Sequence, residues 1–289
     1  MEATPFVSVI IPTYHDWDRL KLCLNALAQQ SYPIDRFEVL VVNNDPEDQP
    51  PYVVASGNVR LLEEAKPGSY AARNAAIRVA KGEVFAFTDS DCIPDQDWLR
   101  NGVQGLANGN DRIAGRIQIF CANDKPTVAE AYELVFAFNQ KTNAENGASV
   151  TANLICYQYC FEKTGLFNCS LLSGGDIEWG YRANDQGFSI SYQENAMVRH
   201  PARSSFADLL KKRRRVAGGA QAIESVKQEQ RSLIRGLMPP IRAFKAILIS
   251  RRISVWHKLA LLPVSYYLKL FSTFAYRGSR HGWLKPTRQ

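Results

Sequence analysis

The sequence predicts an α/β fold: a mostly parallel central sheet with helices on both faces, followed by a basic helical tail. Three observations lead there. Strand-then-helix patterns repeat four times in the first ~110 residues, the mark of an open parallel sheet. Polar clusters stand just past the ends of three of those strands, at 43–45, 66–73 and 89–91. Charge is divided along the chain, with 20 Lys/Arg against 3 Asp/Glu from Arg199 to Gln289 and 15 against 25 in residues 1–198. A chain of 289 residues with 46% apolar and 22% charged residues is neither disordered nor collagen-like.

The first strand is the apolar run Phe6 to Ile11, closed by Pro12. Such a continuous run suits a strand buried on both faces. A helix is expected over 16–31, with Leu20, Leu24 and Leu27 on one face. Phe37 to Val42 is the second strand and ends in the polar turn Asn43-Asn44-Asp45-Pro46. Val59 to Leu62 is a third. After the turn Lys66-Pro67-Gly68, Ser69 is placed to cap a helix over 70–80. Val84 to Phe87 is the fourth strand, with Asp89-Ser90-Asp91 beyond its end, and a helix covers 98–106.

The middle is less regular. A strand is expected over 113–120, a helix over 127–138 and a loop over 139–150. Residues 151–162 read equally well as strand or buried turn. Ser173-Gly174-Gly175-Asp176 opens a helix reaching about Asn184, and Ser189 to Tyr192 returns as a strand. The domain plan is a body over 1–205, with halves 1–110 and 111–205, and a basic helical extension over 206–289.

The six cysteines form no CxxC pair, which gives no support to a zinc knuckle or a disulfide scaffold. Met1-Glu2-Ala3-Thr4-Pro5 lacks the basic and apolar regions of a secretory signal. No run of ~20 apolar residues is present for a membrane span.

Asp89 and Asp91 lie two apart, so an extended backbone aims both carboxylates to one side. Hard divalent ions such as Mg²⁺ or Mn²⁺ want such oxygen ligands. A solvated acidic turn is the bland alternative. Asp176 follows two glycines at a helix start, where it serves as a cap, as a presented carboxylate, or as both. His200, held extended by Pro201, reads as a structural residue or a ligand.

These elements together resemble one family. The stretches are Val9-Ile10-Ile11-Pro12-Thr13-Tyr14, Val41-Val42-Asn43-Asn44-Asp45, Gly68-Ser69-Tyr70-Ala71-Ala72-Arg73-Asn74, Ala80-Lys81-Gly82-Glu83, Phe87-Thr88-Asp89-Ser90-Asp91-Cys92, Gly174-Gly175-Asp176-Ile177-Glu178-Trp179 and Val198-Arg199-His200-Pro201. Their order and spacing over residues 6–205 resemble the family-2 inverting glycosyltransferases with the GT-A nucleotide-sugar-binding fold. The resemblance implies a cytoplasmic-side, metal-dependent transferase, and the basic tail is expected to hold it peripherally on the inner face of the cell membrane. It would move sugar from a nucleotide donor, UDP-linked before GDP-linked, to a saccharide or lipid-linked hydroxyl.

It also implies roles. Asp176 matches the catalytic base, with Glu178 as a helper and Gly175 where relatives often place a glutamate. Asp91, with Asp89 and His200, matches the Mn²⁺ or Mg²⁺ site. Pro12, Thr13, Tyr14, Asn43, Asp45, Gly68, Arg73 and Asp89 fall on the donor side, with Asn43 where many relatives place an aspartate. Trp179 and Arg182 fall on the acceptor side, Trp179 either stacking on a sugar or packing its helix.

Two other classes compete: a non-catalytic nucleotide- or carbohydrate-binding module, and a nucleic-acid-binding protein acting through the tail. The retained carboxylates argue against the first and the lack of a nucleic-acid module against the second. The run Lys211-Lys212-Arg213-Arg214-Arg215 is expected to close over the donor or to meet anionic lipid. Residues 241–276 read as interfacial helices, with Phe244, Ile247 and Leu248 entering the bilayer. A helical hairpin or dimer interface is the alternative.

Overall fold

A computed structural model describes residues 4–227, 233–280 and 283. The last residues of the expected tail, apart from 283, lie outside the described set. In chain order the strands are β1 (Val7–Thr13), β2 (Phe37–Asn43), β3 (Val59–Glu63), β4 (Val84–Thr88), β5 (Ile93–Pro94), β6 (Arg112–Phe120), β7 (Asn153–Tyr157) and β8 (Ile190–Pro201). The helices are α1 (Trp17–Leu27), α2 (Ser69–Ile77), α3 (Trp98–Ala107), α4 (Val128–Phe136), α5 (Gln140–Glu145), α6 (Gln158–Thr164), α7 (Gly175–Asp185), α8 (Phe206–Lys227), α9 (Leu233–Leu237), α10 (Ile241–Ile249) and α11 (Val255–Arg280).

The eight strands form one sheet in the order β3-β2-β1-β4-β7-β6-β8-β5. The sheet is mixed, which corrects the mostly parallel sheet expected from sequence. Strand β1 pairs parallel with β2 and β4, and β2 pairs parallel with β3. Beyond β4 the sense changes: β7 runs antiparallel to both β4 and β6, and β5 antiparallel to β8. The parallel half is the part built from βα units. Every residue of β1, β2 and β4 is buried, as strands covered on both faces require.

Buried polar side chains tie the antiparallel half together. Asn153, fully buried on β7, donates its amide to the carbonyls of Arg116 on β6 and Ala196 on β8 at 2.8 and 2.9 Å. Its Oδ1 accepts from Trp98 Nε1 at 2.9 Å. One amide thus satisfies groups on three elements, and replacing it would leave several buried partners unpaired.

Several local expectations shift. Helix α2 begins at Ser69, with Gly68 in the capping position at φ 119°, a left-handed region open to glycine. Residues 140–145 form a short helix inside the expected loop, capped by Asn139 accepting from the Thr142 amide. Residues 151–162 become both strand and helix. Strand β8 runs on to Pro201, well past Tyr192, which places His200 on a strand.

The chain packs as two units. The first comprises 1–118, 138–170 and 175–200; the second comprises 119–137, 171–174 and 201–289. The second unit is helical, with a core of Ala129, Ala131, Tyr132, Leu209, Ile247, Leu261 and Leu268. Leu261, Ser265 and Leu268 are all buried on α11, the i, i+4, i+7 pattern of a helix face against a core. Among the described residues no helix is long and apolar enough to cross a membrane.

Much of the basic run has partners inside this unit. Glu133 on α4, 2% exposed, receives Lys212 Nζ at 2.7 Å and an Arg203 guanidinium nitrogen at 3.0 Å. Arg213 meets the Tyr132 hydroxyl, and Arg215 donates to the Leu172 carbonyl at 3.4 Å. The run is therefore not a free patch of five charges. Burial alone would push the Glu133 carboxyl up, but Lys212 and Arg203 more than offset it and hold it below its ordinary range. Burial chiefly lowers the Lys212 ammonium to about 8. Glu133→Gln removes the carboxylate from two part-exposed cations, and losing such charged hydrogen bonds costs about 1.5–3 kcal/mol. Denaturant unfolding should show this loss, and a change below about 1 kcal/mol, the range of an exposed pair, would mean the cluster is solvated.

Candidate active site

Strands β1, β2 and β4 all end at one edge of the sheet. Register sets Thr13 beside Asn43 and Ile10 beside Phe87. Asp89–Asp91 lie in the turn just past β4, closed by the Cys92 N–H donating to the Asp89 carbonyl at 3.1 Å. The chain order reverses between β1 and β4, and open sheets bind ligands beyond the strand ends at such a switch.

Two polar atoms at this edge point to a ligand. Thr13 Oγ1 and Arg73 Nε are buried and have no hydrogen-bond partner among the described residues. Buried polar groups are nearly always paired, so an orphan invites an incoming acceptor. Arg73, on the second turn of α2, also grips Asp89 through its guanidinium. Gly68 donates its N–H to Asn44 Oδ1 at 2.8 Å, which fixes the turn into α2.

The 43–48 loop is built by its own side chains. Asn43 donates to the Asp48 carbonyl at 2.9 Å and accepts the Asp45 N–H at 3.1 Å, so both ends of its amide serve the loop. His15, at φ 51°, lies 2.9 Å from Asp45 and 3.2 Å from Asp48 and packs edge-on against Tyr14. Asp45 is therefore paired with His15 on the described surface.

Asp91 and His200 come together because β5 and β8 form a two-residue antiparallel ladder, Ile93 opposite Arg199. Their nearest atoms, Asp91 Oδ2 and His200 Nε2, are 3.6 Å apart. Arg19 approaches the same Asp91 oxygen at 3.7 Å, and Ser90 donates to Asp16 at 3.2 Å. Phe138, itself at a left-handed φ of 50°, lays its ring 4.7 Å from the His200 ring. Burial pushes the Asp91 carboxyl above its ordinary value, with His200 and Arg19 pulling it back and Asp89 and Asp16 adding to the rise. A cation would relieve that cost.

The donor set fits a divalent cation. One ligand atom each from Asp91, Cys92 and His200 lies within 4.8 Å of the others. A carboxylate oxygen and an imidazole nitrogen are both common ligands of divalent metals. Burial, then the Asp91 and Asp89 charges, push the Cys92 thiol well above its ordinary range. Its sulfur faces the Ala152 carbonyl at 3.9 Å. Asp89, expected to converge with Asp91, is held by Arg73 instead.

Asp176 sits at the first turn of α7 and is 8% exposed. Tyr70 Oη donates to its Oδ1 at 3.0 Å, and the Ile177 N–H donates to the same oxygen at 2.9 Å. The Thr151 N–H donates to Oδ2 at 3.1 Å, with the Thr151 hydroxyl at 3.5 Å. Glu178 is committed elsewhere, receiving Arg182 at 2.7 and 3.1 Å. Arg182 also donates to the carbonyls of Thr164 and Leu166. Trp179 is 1% exposed, donates to the Gly165 carbonyl and stacks on Phe161 at 4.2 Å. Its packing role is therefore evident, and it presents no open face for a sugar.

The sequence reading did not single out Tyr70, Thr151 or Phe138. Only Tyr70 left a signal there: it lies three residues before Arg73, on the same helical face.

The family model described as glycosyl transferase family 2 matches residues 8–161. The chain is 39% identical over 223 residues to glycosyltransferase AglE of Haloferax volcanii, covering 74% of this chain and 73% of that protein. It is 23% identical over 228 residues to a dolichyl N-acetyl-α-D-glucosaminyl phosphate 3-β-D-2,3-diacetamido-2,3-dideoxy-β-D-glucuronosyltransferase of Methanococcus voltae, covering 71% and 70%. The fold matches the mannosyltransferase PcManGT of Pyrobaculum calidifontis, solved with GDP-Man and Mn²⁺, at TM-score 0.67 and 18% identity over 96% of this chain and 88% of that one. It also matches S. aureus TarS 1–349 with UDP at TM-score 0.55 and 17% identity, over 96% and 91%.

Proposed function

The chain belongs to glycosyl transferase family 2, and from that premise we propose a donor, an acceptor class and a set of residue roles. As a member it is a metal-dependent inverting glycosyltransferase that transfers sugar from a nucleotide-sugar to an acceptor. The finer reading is a UDP-sugar donor, with a GDP-sugar as second choice, and a saccharide carried on a polyprenyl phosphate as acceptor. The Methanococcus relative, named for a dolichyl-phosphate acceptor, supports that class.

The observation that carries the role assignment is the pairing of two polar centres by helix α2. Arg73 on α2 holds Asp89 at the strand-end site, and Tyr70 on the same helix holds Asp176. Thr13 and Arg73 offer their unpaired atoms to the donor. Asp91 and His200 would hold a divalent cation, Mn²⁺ or Mg²⁺ in this reading, which would supply positive charge beside the diphosphate. Asp176 takes the proton from the acceptor hydroxyl as that oxygen attacks the anomeric carbon from the face opposite the diphosphate. The Tyr70, Thr151 and Ile177 hydrogen bonds fix the carboxylate in direction beforehand. Glu178, bound to Arg182, supports the turn at 164–166.

We place the enzyme peripherally at an anionic membrane face on the cytoplasmic side. The supporting surface is one corner of the helical unit. Lys258 Nζ reaches the Leu248 carbonyl at 2.7 Å, which joins the end of α10 to the start of α11. Leu248, Ile249, Val255, Trp256 and Leu259 are all exposed around that junction, Trp256 to 70%. Arg242, Lys245, Arg251 and Arg252 are exposed beside them. Ile247, expected to enter lipid, is instead fully buried in the unit's own core.

Two experiments test this reading. Incubating the protein and Mn²⁺ with UDP- and GDP-sugars and a dolichyl-phosphate-linked saccharide should give a mass increase of one sugar on the lipid. Transfer only to free saccharides would remove the acceptor assignment. Trp256→Glu with Leu259→Glu should cut co-sedimentation with anionic vesicles roughly tenfold, since apolar insertion and ~1 kcal/mol per basic group act together there. Unchanged sedimentation would leave the corner without a lipid role.

A further inference from the structure

We infer that Tyr70 is a positioning residue for the general base, a hydroxyl donor that orients the Asp176 carboxylate toward the acceptor hydroxyl. This rests on the proposed role of Asp176 and adds a residue to it. Tyr70 Oη lies 3.0 Å from Asp176 Oδ1, across 106 residues of sequence, and both side chains are buried.

The rest of the site is shaped around that contact. A Cβ at Gly175 would lie 2.9 Å from Tyr70 Cδ2 and Cε2, so the residue before Asp176 leaves room only for the tyrosine ring. One turn further along α2, Asn74 donates to the Phe167 carbonyl at 2.8 Å and accepts the Phe167 N–H at 3.1 Å. The Phe167 ring packs against Tyr70 with centroids 5.6 Å apart. The ring is thus held on one side by glycine and on the other by a fixed phenylalanine.

Burial, then the Asp176 charge, push the Tyr70 phenol well above its ordinary value, with Arg73 pulling the other way. It therefore stays protonated and can only donate to the carboxylate. A donor fixed in this way holds the carboxylate in one direction. Three segments supply groups at this contact. Helix α2 supplies Tyr70 and the Arg73 guanidinium, 5.8 Å from the Tyr70 ring. The segment before β7 supplies Thr151, and α7 supplies the Ile177 N–H and Glu178, the latter paired with Arg182.

Tyr70→Phe keeps the ring and removes the donor. The carboxylate is then no longer held in one direction, so kcat should fall roughly tenfold, about the worth of one hydrogen bond to a charged group, while the donor KM and donor affinity stay near those of the unaltered enzyme. A purely structural defect would weaken donor binding as well. Gly175→Ala, which displaces the ring, should lower kcat in the same way. A kcat unmoved by Tyr70→Phe, in an enzyme that Asp176→Asn inactivates, overturns the inference alone. Normal turnover in Asp176→Asn would overturn the base assignment and the inference with it.

Discussion

Asp176→Asn should lower turnover roughly 10²–10⁴-fold, the range for loss of a general base, and leave nucleotide-sugar binding almost unchanged. The substitution is nearly isosteric, and an amide oxygen can still accept from Tyr70 Oη or from the Thr151 N–H. The fold around α7 should therefore hold. What disappears is the capacity to take a proton. Glu178 is the nearest carboxylate in sequence, but both its oxygens are engaged by Arg182, which is itself fixed to two carbonyls at 164 and 166. Steady-state kinetics with the lipid-linked acceptor gives kcat, and calorimetry with the donor gives affinity. A variant that binds donor normally but turns over within about threefold of the parent would move the base elsewhere, since general-base loss is far larger.

The parts of this picture that were legible in the sequence share a physical property: they are local. Strands β1, β2 and β4 were readable because burial on both faces leaves an unbroken apolar run. Helix α2 was readable from a turn followed by an alanine-rich stretch. Direction was not readable. The apolar run ending at Tyr157 fits a strand of either sense, and only its pairing with Thr88 to Val84 shows it to be antiparallel. The sheet was therefore expected to be more parallel than it is.

The site shows the same division. Family motifs pointed to Asp91, His200 and Asp176, but not to what surrounds them. His200 reaches Asp91 through a ladder of two residue pairs between β5 and β8, too short to leave a pattern in either segment. Tyr70 meets Asp176 from 106 residues away. The basic run at 211–215 is conspicuous in sequence as charge, yet Glu133 and Tyr132, which bind part of it, belong to a segment nearly 80 residues earlier. Partners brought together by tertiary packing leave no local trace, so a motif can name a residue while its chemistry stays hidden.

Asp91→Ala should weaken Mn²⁺-dependent nucleotide diphosphate binding roughly 100-fold or more. Losing even an outer partner of a metal ligand commonly costs 10–100-fold, and Asp91 is proposed as a direct one. His200 would remain as a single nitrogen donor, held in place by Phe138 but without the carboxylate 3.6 Å away. Asp89 cannot readily substitute, because Arg73 already holds it. Cys92 supplies the control. It lies within the same cluster, yet its buried sulfur faces the Ala152 carbonyl and is a softer donor than the Asp91 carboxylate. Cys92→Ala should therefore leave metal dependence intact, whereas His200→Ala should weaken it. Calorimetry of UDP or GDP binding, with Mn²⁺ and then with chelator, reads all three variants. Equal affinity in both conditions for the parent protein would remove the metal from donor binding. Dependence lost in Cys92→Ala but kept in His200→Ala would instead reassign the ligands.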